Sequence, residues 1–310
     1  MMLTALPSWL LADVDHIVQI IRERTSARAA VISIAGSQLL TAKREPIHAA
    51  LVLLAAQFGT YRRERVQHAA AAAELIYAAT QTHDALVDEG ERRRGQHRTG
   101  TWEHPVALMV GDYLFALAAG EMALSPDARV INFYSQAVMR ITEGTLMPPP
   151  PLFPLEQGCQ QHFTRIRDTH AALYGAACRA GGACAGASTE QIEALGVFGE
   201  ELGLALRLTQ ELHMFTTSNS EQQPITTMSL PLIFAAAQTD HARLLAALDT
   251  AAPNEQAWLR STVQRYGLEP TQSEVRRIIS QAHKMLEHLP AHAGRDLLAQ
   301  LSVAVAHQSI

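Results

Sequence analysis

Five consecutive alanines, Ala69 to Ala73, lie inside a helical stretch spanning residues 63–88. Alanine is the strongest helix former, and it leaves no bulk to hold a neighbouring helix away. A run of this kind therefore predicts a helix packed closely by other helices. The same stretch ends in chemistry. Asp84 and Asp88 are one turn apart, so their carboxylates stand on one helix face. Arg92, Arg93, Arg94 and Gly95 follow. Stacked carboxylates beside guanidiniums suit a magnesium–diphosphate site, with hard oxygens for the metal and Arg forks for phosphate. The competing reading is a helix C-terminus carrying a solvated charge cluster.

Helical periodicity continues along the chain. An amphipathic helix is expected over residues 10–24 and a second over 26–40. Pro46 opens the next, 46–58. A polar, basic loop covers 89–104, with Trp102 packing it to the core. Pro105 starts a helix to about Glu121, and another follows Ser125 or Asp127. Proline breaks the chain at 148–154. Helices are expected at 163–179 and 188–215, either side of a small-residue loop "GGACAG", and the flexible loop "TTSNSEQQPITT" occupies 216–227. Helices near 230–237, 239–250, 253–266, 270–288 and 292–306 complete the chain. No segment sustains period-two alternation, which predicts an all-α protein.

The 310 residues, 48% hydrophobic and 18% charged, suffice for one large core, and a single domain over 1–310 is expected. A net charge of −5 gives no basic footprint for nucleic acid. Cys159, Cys178 and Cys184 show no metal-ligand spacing and read as buried apolar residues in a reducing compartment. No signal peptide and no membrane-spanning apolar stretch is expected, so the chain reads as cytoplasmic.

The stretch "HDALVDEGERRRG" resembles the first aspartate-rich motif of the trans-isoprenyl diphosphate synthases, HDDxxD followed by RRG. "GDYLFALA", "ITEGTL", "AALYGAACRAGG", "FGEELGLALRL" and "SLPLIFA" are similar to further motifs of that family, in the same order across about residues 40–235. The resemblance implies an antiparallel helical bundle around a deep central cavity. It also implies magnesium ions held by two facing aspartate-rich motifs, which stabilise the charge of a departing diphosphate.

Carried over residue by residue, Asp84 and Asp88 match the first motif's outer aspartates, and Ala85 replaces the second. Arg93 and Arg94 match the RRG arginines. In the second motif, FQIxDDxxD, Gln210 and Met214 stand at aspartate positions, Glu211 alone is acidic, and Arg207 replaces the Gln. Two readings of Arg207 stand: a cation facing Asp84 and Asp88 in place of magnesium, or a partner for Glu211 one turn on. At the isopentenyl diphosphate site the family's Lys and Arg fall on Ala42 and Glu45, with Lys43 and Arg44 persisting nearby. The family's His falls on Tyr77, and the Lys of KTAxL falls on Thr169, beside His170. Ala79 and Thr80 match small residues that leave the family's hydrophobic tunnel open; as a plain alternative they are helix-packing positions. His83 is expected to pack, and Asp112 to make a structural hydrogen bond.

Damaged ligand sets beside readable packing motifs predict a non-catalytic family member, with magnesium held weakly or lost. The expected role is a regulatory or partner subunit, in a homodimer or in a heterodimer with a catalytic isoprenyl diphosphate synthase. The alternatives are an active prenyltransferase joining an allylic diphosphate to isopentenyl diphosphate, or an isoprenoid diphosphate-binding module.

Overall fold

The apolar repeats form helices, and no strand occurs among the described residues. The computed structural model describes residues 6–26, 45–92, 104–216, 224–225 and 227–307, with the backbone alone at 84–92, 104–105 and 306–307. Residues 27–40 of the expected second helix, Trp102, and most of the loop 216–227 lie outside the described residues.

Helix α1 (Ser8–Thr25) buries Leu10, Val14, Ile17 and Ile21 along one stripe. Helix α2 (Ile47–Ala55) is buried along its whole length and tightens into a 3₁₀ turn, Ala56–Phe58. Pro46 stands just before its first helical residue, one place earlier than expected, and has no side chain to cap it. Glu74 supplies the cap from the next helix: its Oε1 accepts the backbone N–H of Ala49 at 3.0 Å. A carboxylate there satisfies an orphan donor and complements the helix dipole.

Helices α3 (Arg63–Arg92) and α4 (His104–Ala123) run antiparallel, since His68 meets Glu121 at one end and His83 meets Asp112 at the other. α3 continues a turn beyond the expected end at Asp88. By length and composition, Val106–Ala123 is apolar enough to cross a membrane, contrary to expectation. The physical reason is that α4 is apolar on two sides. Val110, Leu114 and Ala118 are buried, while Leu108 and Met109 are exposed on the other side. Its buried Glu121 is held by Arg24 Nε at 2.6 Å and His68 Nδ1 at 2.7 Å.

Helix α5 (Arg129–Leu146) starts beside Asp127, whose carboxylate accepts the Arg129 N–H at 2.9 Å. After the proline break come α6 (Leu155–Ile166), a π turn (Arg167–Ala171) and α7 (Ala172–Ala185) as one continuous helical run. The run begins earlier than the expected residue 163 and continues through most of the expected "GGACAG" loop. Only Gly186, at φ 76°, leaves the helix, in the left-handed conformation that ends many helices. Tertiary contact overrides propensity here: a Cβ on Gly181 would fall 2.2 Å from the carbonyl oxygen of Val52 in α2. α7 packs against α2, α3, α5 and the long helix α8 (Thr189–Thr216).

Helices α9 (Leu230–Ala236), α10 (His241–Leu248) and α11 (Pro253–Tyr266) bury a smaller apolar cluster with Phe215 of α8. α11 also caps the C-terminus of α8, with Arg260 Nη1 donating to the Met214 carbonyl (2.9 Å) and Gln264 Nε2 to that of Phe215 (2.7 Å). Helices α12 (Leu268–Glu287) and α13 (Ala293–His307) close the main core against α8.

The π turn fits only because two glycines face it. A Cβ on Gly144 of α5 would lie 2.9 Å from Asp168 Cβ, and one on Gly203 of α8 would lie 2.8 Å from the Tyr174 ring and 2.9 Å from Ala171 Cα. Gly203→Ala should therefore cost about 1–3 kcal/mol, as overpacking does in a filled core. Urea unfolding followed by circular dichroism checks this.

Candidate functional site

The second aspartate-like segment lies on α8 and faces α6 and the π turn. Glu211, its one acid at an aspartate position, has a side chain only 1% exposed. The Glu211 carboxylate is fully engaged. His162 Nε2 lies 3.1 and 3.0 Å from its two oxygens, and the backbone N–H of Leu230 donates to Oε2 at 2.8 Å. Leu230 is the first residue of α9, whose Ser229 gives no side-chain cap, so Glu211 acts as that helix's N-terminal anion. Breaking such a buried, fully bonded charge typically costs about 3–5 kcal/mol.

Magnesium requires several hard anionic oxygens in near-octahedral array. On α8, Gln210 and Met214 are exposed and bring no charge, and Glu211 spends its oxygens on His162 and Leu230. This half of the site does not fit the metal.

Of the two expected roles of Arg207, the one that falls on described side chains is the pairing with Glu211. The Arg207 Nε lies 3.6 Å from Glu211 Oε1, one turn along α8. That separation is an ion pair beyond hydrogen-bond reach. Whether Arg207 meets Asp84 or Asp88 falls outside the described side chains, as does the role of Ala85. Ala42, Lys43, Arg44, Arg93 and Arg94 also lie outside the described residues. Glu45 is half-buried, and its carbonyl accepts the Ile47 N–H at 2.9 Å.

Tyr77, at the family's His position, packs its ring 4.9 Å from that of His48, which also meets Tyr174 at 4.3 Å. His48 Nδ1 is 3.7 Å from Glu74 Oε1. A histidine thus lies beside Tyr77, contributed by α2. Ala79 is fully buried on α3, and Thr80 Oγ1 donates to the Tyr77 carbonyl at 2.8 Å. His83 packs edge-on to Gly111, where any Cβ would fall 2.1 Å from its Nε2. It also lies 3.4 Å from Asp112 and 5.6 Å from the Phe115 ring.

At the π turn, Thr169 Oγ1 donates to the Arg165 carbonyl at 2.7 Å. Having spent its hydrogen, the hydroxyl accepts from His170 Nδ1, also 2.7 Å away. Thr169 and His170 are held from outside by ion pairs. Arg140 bridges Asp168 (2.9 Å) and Glu200 (3.1 Å), while Arg167 meets Glu201 at 2.8 Å. π turns recur at functional sites because the extra residue re-aims side chains. Here the turn sets His170 among Arg207, Arg165 and His162. Sequence reasoning did not single out His162; a histidine two turns before His170 was the available signal.

The profile of the polyprenyl synthetase family matches residues 31–264. The chain is 28% identical, over 98% of both sequences, to heptaprenyl diphosphate synthase component 2 of Geobacillus stearothermophilus. It is 30% identical to nonaprenyl diphosphate synthase of Mycobacterium tuberculosis, covering 75% of this chain and 73% of that one. Among solved structures, a decaprenyl diphosphate synthase from Rhodobacter capsulatus superposes with a TM-score of 0.82 and 28% identity, covering 100% of this chain and 98% of that one.

Burial, then the charges of Arg207 and Arg165, bring the His170 imidazole down from 6.5 to about 3, so it is neutral at pH 7. The unfolded chain takes up this proton near pH 6.5, and the folded chain only near 3. The unfolded state therefore binds more protons across that window, and stability falls as pH drops through it, by at most about 1.4 kcal/mol per pH unit from this group. Denaturant unfolding at pH 7 and pH 5 should show a shallower loss for His170→Asn than for wild type.

Proposed function

The chain belongs to the polyprenyl synthetase family, and from that premise we propose that it is a subunit of a polyprenyl diphosphate synthase assembly in which a second chain carries the condensation. The observation that carries this reading is the apolar face formed by α4 and α5. Leu108 and Met109 on α4, and Ile131, Met139 and Leu146 on α5, are exposed, Met109 at 68% and Leu146 at 77%. Beyond the exposed acid Asp112, α4 presents the small residues Ala116, Ala119, Gly120 and Ala123, and a Cβ on Gly120 would meet nothing within 4 Å. Apolar side chains flanking a flat, small-residue ridge allow another helix pair to approach closely. Large apolar side chains exposed on two neighbouring helices support an interaction site. On α5 the spacing of Ile131, Met139 and Leu146 follows one helix face.

The relative from Geobacillus stearothermophilus is named as a component of its synthase, which supports an assembly of more than one chain. The non-catalytic part of the reading rests on Glu211, whose oxygens serve α9 rather than a metal.

Two measurements on the full chain test this reading. Light scattering of the wild type mixed with a catalytic polyprenyl diphosphate synthase chain should report a heteromeric complex, and Ile131→Lys/Met139→Lys should leave the two chains apart, with unchanged circular dichroism. A wild type that forms no such complex would remove the subunit reading. Incubation of the wild-type chain alone with farnesyl diphosphate, isopentenyl diphosphate and magnesium should yield no elongated lipid, whereas elongation at an ordinary turnover rate would make the chain itself the synthase.

A further inference from the structure

Helices α1 and α3 leave between them a cavity of about 340 Å³, lined by His16, Ile20, Glu23, Arg24, Gln67 and His68. The acid held there, Glu121 of α4, has a side chain only 3% exposed. Arg24 Nε donates to its Oε1 at 2.6 Å, and His68 Nδ1 to its Oε2 at 2.7 Å. An imidazole that donates through Nδ1 keeps a lone pair on Nε2, and Gln67 Nε2 faces that lone pair at 3.4 Å. The Gln67 carbonyl oxygen is thereby turned to His16, whose Nε2 donates to it at 3.3 Å. Each hydrogen in this chain points inward, from His16 to Gln67 to His68 to the Glu121 carboxylate. A chain with that direction leaves an acceptor at its outer end, the Nδ1 lone pair of His16. Glu23 adds a second acceptor beside it; it is exposed, and Gln19 Nε2 donates to its Oε1 at 3.2 Å. Arg24 and Glu121 cancel in charge, so Glu23 is the carboxylate of the lining that no cation pairs among the described residues.

We infer that this cavity binds a small molecule bearing a primary ammonium group on a short alkyl stem. An ammonium has three N–H donors and no acceptor, which complements a carboxylate and an imidazole lone pair. Ile20 gives the stem an apolar wall. The volume lies at the lower end of the range for small-molecule sites, so the ligand is a short amine and not a cofactor-sized molecule. An anion gains less here. Arg24, the guanidinium in the lining, already has Glu121 as its counter-charge, and Glu23 repels a second negative group. The inference is independent of the subunit reading and of α8, which contributes no residue to the cavity lining.

Titration of the full chain with n-butylammonium chloride, followed by amide chemical shifts in NMR, tests it. The wild type should saturate with a Kd of about 1 mM or tighter, within reach of a ligand this small. Glu23→Gln keeps the shape and removes the charge, and should weaken binding about 10-fold, as a lost charge-assisted contact does. His16→Phe keeps a ring but no acceptor, and should weaken it several-fold. Absence of saturable binding by the wild type overturns the inference, and so does unchanged affinity in either variant. Should His16→Phe fail to fold, the exposed Glu23→Gln decides alone. Two further probes fix the ligand class. Sodium butyrate, of similar length and opposite charge, should not bind, and butyrate binding as tight as that of butylammonium overturns the inference. Ammonium chloride should bind more weakly than butylammonium, and equal affinity overturns it, because the stem then adds nothing.

Discussion

Close approach of helices to α7 is the constraint on which the rest of the structure depends. α7 carries almost no large side chains, so α2, α5 and α8 meet it nearly backbone to backbone. At Gly181 the carbonyl of Val52 occupies the space of a missing Cβ, and at Gly199 the carbonyl of Tyr174 does the same. Packing of this kind has little slack, because a protein interior is already as dense as an organic crystal. It fixes the angle at which α8 passes the π turn, and through that angle the positions of Arg207 and Glu211. The ion pairs of Arg140, Arg167 and Arg179 with Glu193, Glu200 and Glu201 then lock the turn from its outer side. As partly exposed pairs, they contribute more to geometry than to stability.

Much of this fold was legible in the residues. Apolar spacing placed α1, α11 and α12 to within a few residues, Pro46 and Pro105 marked helix starts, and Asp127 marked a cap. The motif glycines were readable as a pattern while their purpose was not. Gly111 makes room for His83, and Gly144 and Gly203 make room for the π turn, all by contact with residues far away in the chain. Local propensity failed where tertiary contact reversed it. Gly181 and Gly182 disfavour a helix by roughly 1 kcal/mol each, which made "GGACAG" read as a loop, yet only glycine permits the approach to α2. Likewise α4 reads as a membrane-length apolar segment because two of its faces are apolar for different reasons, one for α3 and one left exposed.

The candidate site was less legible, for a different physical reason. An acidic residue at a metal-ligand position carries the same letter whether its oxygens face a cavity or a helix N-terminus. Only the positions of His162 and Leu230 show that Glu211 has been drawn into the framework. Tyr77 is similar: its lost imidazole has a near neighbour in His48, but that residue comes from α2 and touches Tyr77 only in three dimensions.

Changes at α8 make sense as a linked set and not as separate losses. Aspartates facing one another without a metal would repel, and removing the metal alone would leave charge that the low-dielectric interior penalises. Gln210 and Met214 remove that charge, and Glu211 keeps its own by turning it toward His162 and the α9 N-terminus, where two donors stabilise it. Arg207 then stands 3.6 Å from a carboxylate whose oxygens already serve His162 and the Leu230 N–H. Burial and the same positive field keep His170 neutral, so the cluster carries its charge on α8 rather than at the π turn. The rigidity of this segment comes from the close packing of α7 against α8.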